Sequence, residues 1–145
     1  MGGAMGTRDA AFDTVIALHR LLRSLRRTSP TGGLQPTQLI VLSMLTEAGP
    51  SRVGMIAERV PCSQPTATAV VAELETLGLV RREPDPTDGR ATRVAVTEDG
   101  TGALRGVAHG EAEELLRRLG SLSDDEAARV LAAAPLLRRL AEADR

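Results

Sequence analysis

The chain contains no lysine, tryptophan or tyrosine, one phenylalanine (Phe12) and one cysteine (Cys62). With aromatics that scarce, the core must be assembled from Leu, Val, Ile and Ala, and a chain rich in Ala and Leu leans helical by intrinsic propensity. A single cysteine excludes an internal disulfide and fits a reducing, cytoplasmic compartment. No apolar run approaches the roughly 18 residues that a spanning helix needs, so no membrane association is expected. The Gly-rich stretch 1–7 lacks an apolar run behind a charged start and reads as a disordered tail rather than a signal peptide. Two histidines and one cysteine lie far apart without ligand spacing, so neither a metal nor another cofactor is expected.

What is present is charge of both signs. All 18 basic residues are arginine, against 19 acids, for a net charge of −1 and a pI near 6.1. That balance argues against a globally basic coat, but phosphate contact depends on local patches. The charges are uneven: residues 1–30 carry five Arg and two Asp, whereas residues 98–145 carry seven Arg and ten acids.

Apolar periodicity divides the remaining chain, whose length suits a single domain. Residues 9–28 read as a helix with Phe12, Val15, Ile16, His19 and Leu22 on one stripe, widened by Leu18, Leu21 and Leu25. A second helix starts near Pro36 and stops before Gly49-Pro50. Ser51 is expected to cap a short helix, Pro61-Cys62 to make a tight connection, and Ser63 to cap a fourth helix running to about Leu77, with Gly78 as its left-handed terminator. Residues 79–82 and 93–96 then have strand character around a turn-rich stretch. Thr97 caps the next helix. Ser123 and Glu126 form a capping box before the last, which Pro135 should kink or split.

A short helix, a tight turn, a longer helix and a charged hairpin follow one another in that order. A helix-turn-helix sets its second helix in the major groove, where every base pair shows a distinct donor and acceptor pattern. With Ala67, Val70, Val71 and Leu74 committed to the core, Gln64, Pro65, Thr66, Thr68 and Ala69 remain for the helix start and outer side. The same residue types also suit a plain helix cap. The hairpin apex offers Asp88-Gly89-Arg90, with Arg93 three residues on; an arginine there suits the minor groove, and Asp88 could orient its guanidinium. A solvated charged turn is the simpler alternative for that apex. An enzyme reading, a small hydrolase using Ser63 with Glu83, Asp85 or Asp88, finds no phosphate loop or nucleophile elbow. A helical dimerisation module that does not bind DNA leaves the hairpin unexplained.

Over about Arg8 to Leu140 the chain resembles the MarR family of bacterial regulators (multiple antibiotic resistance regulators). The matching stretches are Leu34-Gln35-Pro36-Thr37-Gln38-Leu39-Ile40-Val41-Leu42, Met55-Ile56-Ala57-Glu58-Arg59-Val60 and Leu74-Glu75-Thr76-Leu77-Gly78-Leu79-Val80-Arg81-Arg82. The most specific is Asp85-Pro86-Thr87-Asp88-Gly89-Arg90-Ala91-Thr92, leading to Val96-Thr97-Glu98-Asp99-Gly100. The resemblance implies a mainly α fold: a winged helix-turn-helix lobe (34–97) with a small β-hairpin wing, and dimerisation helices (8–30 and 98–145), together one domain over 8–145. It implies a cytoplasmic bacterial repressor that binds double-stranded DNA at a pseudo-palindromic operator as a homodimer, with a small-molecule effector. DNA contacts would come from Ser63, Gln64, Pro65, Thr66, Thr68, Asp88, Arg90 and Arg93, and effector contacts from Phe12 and His19. Three departures stand out: Ala69 where the family often has Arg, Pro61 where it has Gly, and Pro135 in the last helix. Cys62 fills an apolar position of the turn and reads as a small buried hydrophobe rather than a redox switch.

Overall fold

The structure, a computed structural model, describes residues 6–143, so most of the tail expected over 1–7 lies outside the described residues. Its elements are α1 (Thr7–Thr28), α2 (Pro36–Ala48), α3 (Val53–Arg59), α4 (Gln64–Thr76), β1 (Val80–Pro84), β2 (Thr92–Val96), α5 (Glu98–Leu119), α6 (Asp124–Ala132) and α7 (Ala134–Glu142). The fold is mainly α with a two-stranded antiparallel sheet. Thr7, expected in the tail, already belongs to α1. No helix among the described residues is long and apolar enough to cross a membrane.

The chain forms two compact units. One is Ser29–Gly110, wider than the 34–97 stretch expected for the lobe. The extension has a packing reason: Leu104 and Ala103 on α5 lie against the lobe core, and Val107 is buried. That core is aliphatic, as the scarcity of aromatics requires. Val41, Leu42 and Leu45 of α2, Ile56 of α3, Val71 and Leu74 of α4, and Val94 of β2 are fully enclosed. Each such side chain contributes about 1.5–3 kcal/mol relative to exposure.

Within this lobe most local signals act as expected. Ser63 Oγ accepts the Thr66 N–H at the start of α4, and Gly78 terminates it at φ 73°. Thr97 Oγ1 accepts the Gly100 N–H at the start of α5 and donates its own hydrogen to the Gly78 carbonyl at 2.6 Å. Ser51 is a correction. The cap of α3 is Arg52, because the Ser51 backbone exchanges hydrogen bonds of 3.0 and 2.8 Å with Val94 and stays extended as a third, one-residue strand beside β2.

The second unit consists of the described residues on either side of that stretch. Leu25 of α1 and Leu119 of α5 are its buried apolar residues. Arg118 ties the two helices together, donating to Ser24 Oγ at 2.8 Å, to Thr28 Oγ1 at 3.0 Å and to Glu114 Oε1 at 2.7 Å. The Ser123–Glu126 capping box opens α6, and the chain breaks at Ala133. Pro135 has no N–H to continue the helical ladder and sits in the first turn of α7 instead. Phe12, Val15, Leu22, Leu131, Leu136, Leu137 and Leu140 are all exposed in the single chain, Leu140 to 73%.

The carboxylates of this unit give it an acid sensitivity. Arg117 and then Arg118 hold Glu114 down to about 2, against an ordinary 4.5, and the Ser123 backbone N–H lowers Glu126. The folded state therefore binds these protons less readily than the unfolded chain. The stabilisation is complete above the ordinary carboxylate range and is lost as pH falls from there through about 2. Urea midpoints should fall across that window, and Glu114→Gln should flatten the slope. A parent and variant with identical slopes would show that the Glu114 pairs contribute nothing to the fold.

Candidate nucleic-acid interface

Helix α3, the turn through Pro61 and Cys62, and α4 make a helix-turn-helix. The Cys62 N–H bonds the Ala57 carbonyl at 3.1 Å, closing the turn, and Cys62 is half-buried against the lobe core. On α4, Ala67, Val70, Val71 and Leu74 are buried. Ser63, Gln64, Pro65, Thr66, Thr68 and Ala69 are all exposed. The period of 3.6 therefore separates the two faces as it should.

The exposed polar groups are not equivalent. Ser63 Oγ lies 2.8 Å from Thr66 Oγ1 and accepts the Thr66 N–H, so both residues serve as caps. The Thr68 hydroxyl donates back to the Gln64 carbonyl at 2.9 Å. The Gln64 side-chain amide has no protein partner among the described residues, leaving two donors and an acceptor carbonyl for an external edge. Pro65, in the first turn, costs no backbone hydrogen bond and keeps that end of the helix slim.

The orientation of α4 depends on a buried polar link that periodicity does not reveal. Gln38, 7% exposed, accepts the Gln35 N–H at 2.8 Å and donates to Glu73 Oε2 at 2.8 Å. One side chain thus caps α2 and fastens it to the recognition helix. Its partners are 3 and 35 residues away, so only the α2 capping half has a local signature.

The wing pairs Val80 with Val96, Arg82 with Val94, Glu83 with Arg93 and Pro84 with Thr92. Residues 85–91 form its loop, closed by Asp85 N–H to the Ala91 carbonyl at 3.0 Å and Ala91 N–H to the Asp88 carbonyl at 2.9 Å. Asp88 Oδ1 accepts the Arg90 backbone N–H at 3.1 Å. This corrects the expected pairing of Asp88 with the Arg90 guanidinium: the carboxylate stabilises the turn backbone, and the guanidinium extends free of it. The other wing arginines are paired. Arg93, half-buried, binds Glu83 at 2.6 Å, Arg81 also binds Glu83, and Arg82 binds Glu75 of α4 at 3.2 Å. Arg90 is the wing arginine with no carboxylate partner among the described residues.

An exposed, unpaired amide on a slim helix start and an unpaired arginine at a hairpin tip are the two elements of a winged helix-turn-helix reader. A model of the MarR family matches residues 32–91. An HTH-type transcriptional regulator of Mycobacterium bovis is 33% identical over 132 residues, covering 91% of this chain and 92% of the relative. The chain belongs to the MarR family. The crystal structure of the YusO protein from Bacillus subtilis superposes with a TM-score of 0.67 at 26% identity, over 95% of this chain and 99% of that one. The PcaV transcriptional regulator from Streptomyces coelicolor, solved in complex with its natural ligand, gives 0.56 at 25% identity, over 100% and 99%. As a MarR-family regulator the chain is a DNA-binding, HTH-type transcription factor.

Of the two residues with an expected effector role, Phe12 is 66% exposed and His19 is exposed, both on α1. A separate cavity of about 470 Å³ opens in the MarR-family lobe, lined by Thr31, Leu34, Leu77, Leu79 and Val107 among others, with no charged side chain and neither Phe12 nor His19. Among the described residues, no cluster of three or more His, Cys, Asp or Glu has the geometry to hold a metal ion. Sequence reasoning missed Arg52, whose guanidinium binds Asp85 of the wing loop at 2.7 Å. The Thr87 hydroxyl, then Arg52 and the Thr87 N–H, hold Asp85 far below the usual carboxylate range, and Asp85 in turn raises Arg52.

Proposed function

We propose that the protein is a ligand-responsive repressor that binds a pseudo-palindromic operator as a homodimer. In this reading the start of α4 enters the major groove, with Gln64 reading a base edge and Ser63, Pro65, Thr66 and Thr68 fitting backbone and methyl surfaces. Arg90 reaches the adjacent minor groove from a turn that Asp88 stabilises, and Arg93 lies behind it, available to a phosphate once it exchanges Glu83. Phe12 and His19 of α1 contribute to effector contact. The effector acts only if it binds better to the form that does not hold DNA. Ligand binding by PcaV, in its solved complex, supports an effector here.

The observation that carries the DNA reading is the pair of unpartnered groups, Gln64 and Arg90, on the two elements that a winged helix-turn-helix presents to a duplex. Since Ser63, Thr66 and Thr68 already spend hydrogen bonds on the helix, Gln64 has the most freedom to discriminate bases. Gln64→Ala should therefore relax the base preference at one position of each half-site while changing non-specific affinity little. Selection from random duplexes checks this. The same motif recovered with equal stringency for parent and variant would contradict the assignment.

A further inference from the structure

The wing ladder ends at the pair Pro84 and Thr92, and the loop beyond it carries Arg90. The Ser51–Val94 bridge fixes the strands against the start of α3 but lies below that end. Within the loop, Asp85 Oδ1 accepts the Thr87 N–H at 2.8 Å and the Thr87 hydroxyl at 2.6 Å, which makes the loop rigid around Asp85. Its other oxygen, Oδ2, takes the Arg52 Nε–H at 2.7 Å. Among the described residues, Arg52 is the side chain outside the wing that bonds this loop. The Asp85 side chain is 11% exposed beneath it, the Arg52 side chain 48%. The Asp88 carboxylate attracts the same guanidinium through space.

We infer that Arg52 is a positioning residue for DNA binding: its ion pair with Asp85 ties the wing loop to the start of the helix-turn-helix and holds Arg90 in register with α4. The inference rests on the reading of Arg90 as a DNA contact. A loop released from Arg52 remains internally closed but swings on the end of the ladder. The fraction of molecules with Arg90 in place then falls, and the observed affinity falls by that fraction. Because the Arg52 guanidinium is half-exposed and Asp85 keeps its bonds from Thr87, Arg52→Ala should cost DNA binding more than thermal stability.

The competing role for a half-exposed arginine is a direct phosphate contact, and the two differ in sign at Asp85. Removing Asp85 frees Arg52: a direct contact would then strengthen, whereas a positioned loop would come loose. The test measures affinity of the full chain, at fixed salt, for a labelled duplex bearing the site selected from random sequence by the unaltered protein. Arg52→Ala and Asp85→Ala should each weaken binding about 3- to 10-fold, and Arg52→Lys should recover most of the loss, since an ammonium can still reach Asp85. On an Arg90→Ala background, Arg52→Ala should add less than about twofold, because the contact it positions is gone. Tighter binding by Asp85→Ala, or a full Arg52→Ala effect on the Arg90→Ala background, overturns the inference in favour of direct contact. Arg90→Ala alone separates the failures: if it is silent, the underlying wing contact fails and the inference with it. If it weakens binding while Arg52→Ala does not, only the positioning role is lost.

Discussion

Arg90→Ala is expected to weaken operator binding by about 1–3 kcal/mol, the scale of one well-placed charged contact with DNA. Arg90 is exposed, its guanidinium has no carboxylate partner among the described residues, and its backbone N–H is already satisfied by Asp88. Truncation therefore removes no interaction of the folded protein's own side chains, and the unfolding midpoint should stay where it is. Arg81→Ala supplies the contrast. Its guanidinium binds Glu83 in the free protein, so it has less to offer DNA and its loss should matter less. Fluorescence anisotropy titrations at one salt concentration measure both. An Arg90→Ala affinity equal to that of the parent would remove the wing from the interface.

The second large effect is on folding, at Gly100→Ala. Gly100 is buried in the first turn of α5, and a Cβ built there would overlap the carbonyl oxygen of Leu79 and approach Val96 Cγ2 to 2.8 Å. The obstruction is backbone, and that backbone is held: the Leu79 carbonyl accepts the Thr97 N–H at 3.0 Å. Neither side can yield without separating α5 from the wing strands, so the cost should be about 3 kcal/mol, the upper part of the range for overpacking. Gly102→Ala is the control. No heavy atom stands within 4 Å of a Cβ at Gly102, so alanine there should be neutral or stabilising by up to about 1 kcal/mol, through helix propensity. Equal urea midpoints for the two variants would show that the close approach at Gly100 is not a constraint.

Gly100 also shows how far the sequence could be read. Its place in the stretch Val96-Thr97-Glu98-Asp99-Gly100 was legible, but the reason for a glycine was not, because the obstructing carbonyl is that of Leu79, 21 residues earlier in the turn before β1. Local signals proved dependable: the Ser63 cap, Gly78 at positive φ, the Ser123–Glu126 box and the break caused by Pro135 each involve residues within one turn of one another. The inner and outer faces of α4 followed from period alone. What stayed hidden was assembled across distance. Gln38 finds Glu73 only because α2 and α4 pack together, and Arg52 finds Asp85 because Ser51 is drawn into the sheet. That same pairing moved the start of α3 by one residue. The Glu83–Arg93 pair was within reach, since a ladder ending at Pro84 and Thr92 places those two side chains opposite each other. The Asp88 orientation was not, because a carboxylate two residues before an N–H can serve the turn or the neighbouring guanidinium, and spacing does not choose between them.

The exposed apolar residues of α1, α6 and α7 belong to the same account, since Phe12, Val15, Leu131, Leu137 and Leu140 together are much apolar side chain for a solitary chain to leave in water. In the proposed homodimer a second copy related by a two-fold axis would cover these side chains, and each copy would supply one α4 helix to one half of the operator. DNase footprinting on a selected operator tests this central claim most directly. The account predicts two protected half-sites, related by inverted symmetry and centred about one helical turn apart, roughly 34–36 Å. A single protected half-site, bound at full affinity by a monomeric chain, would contradict it.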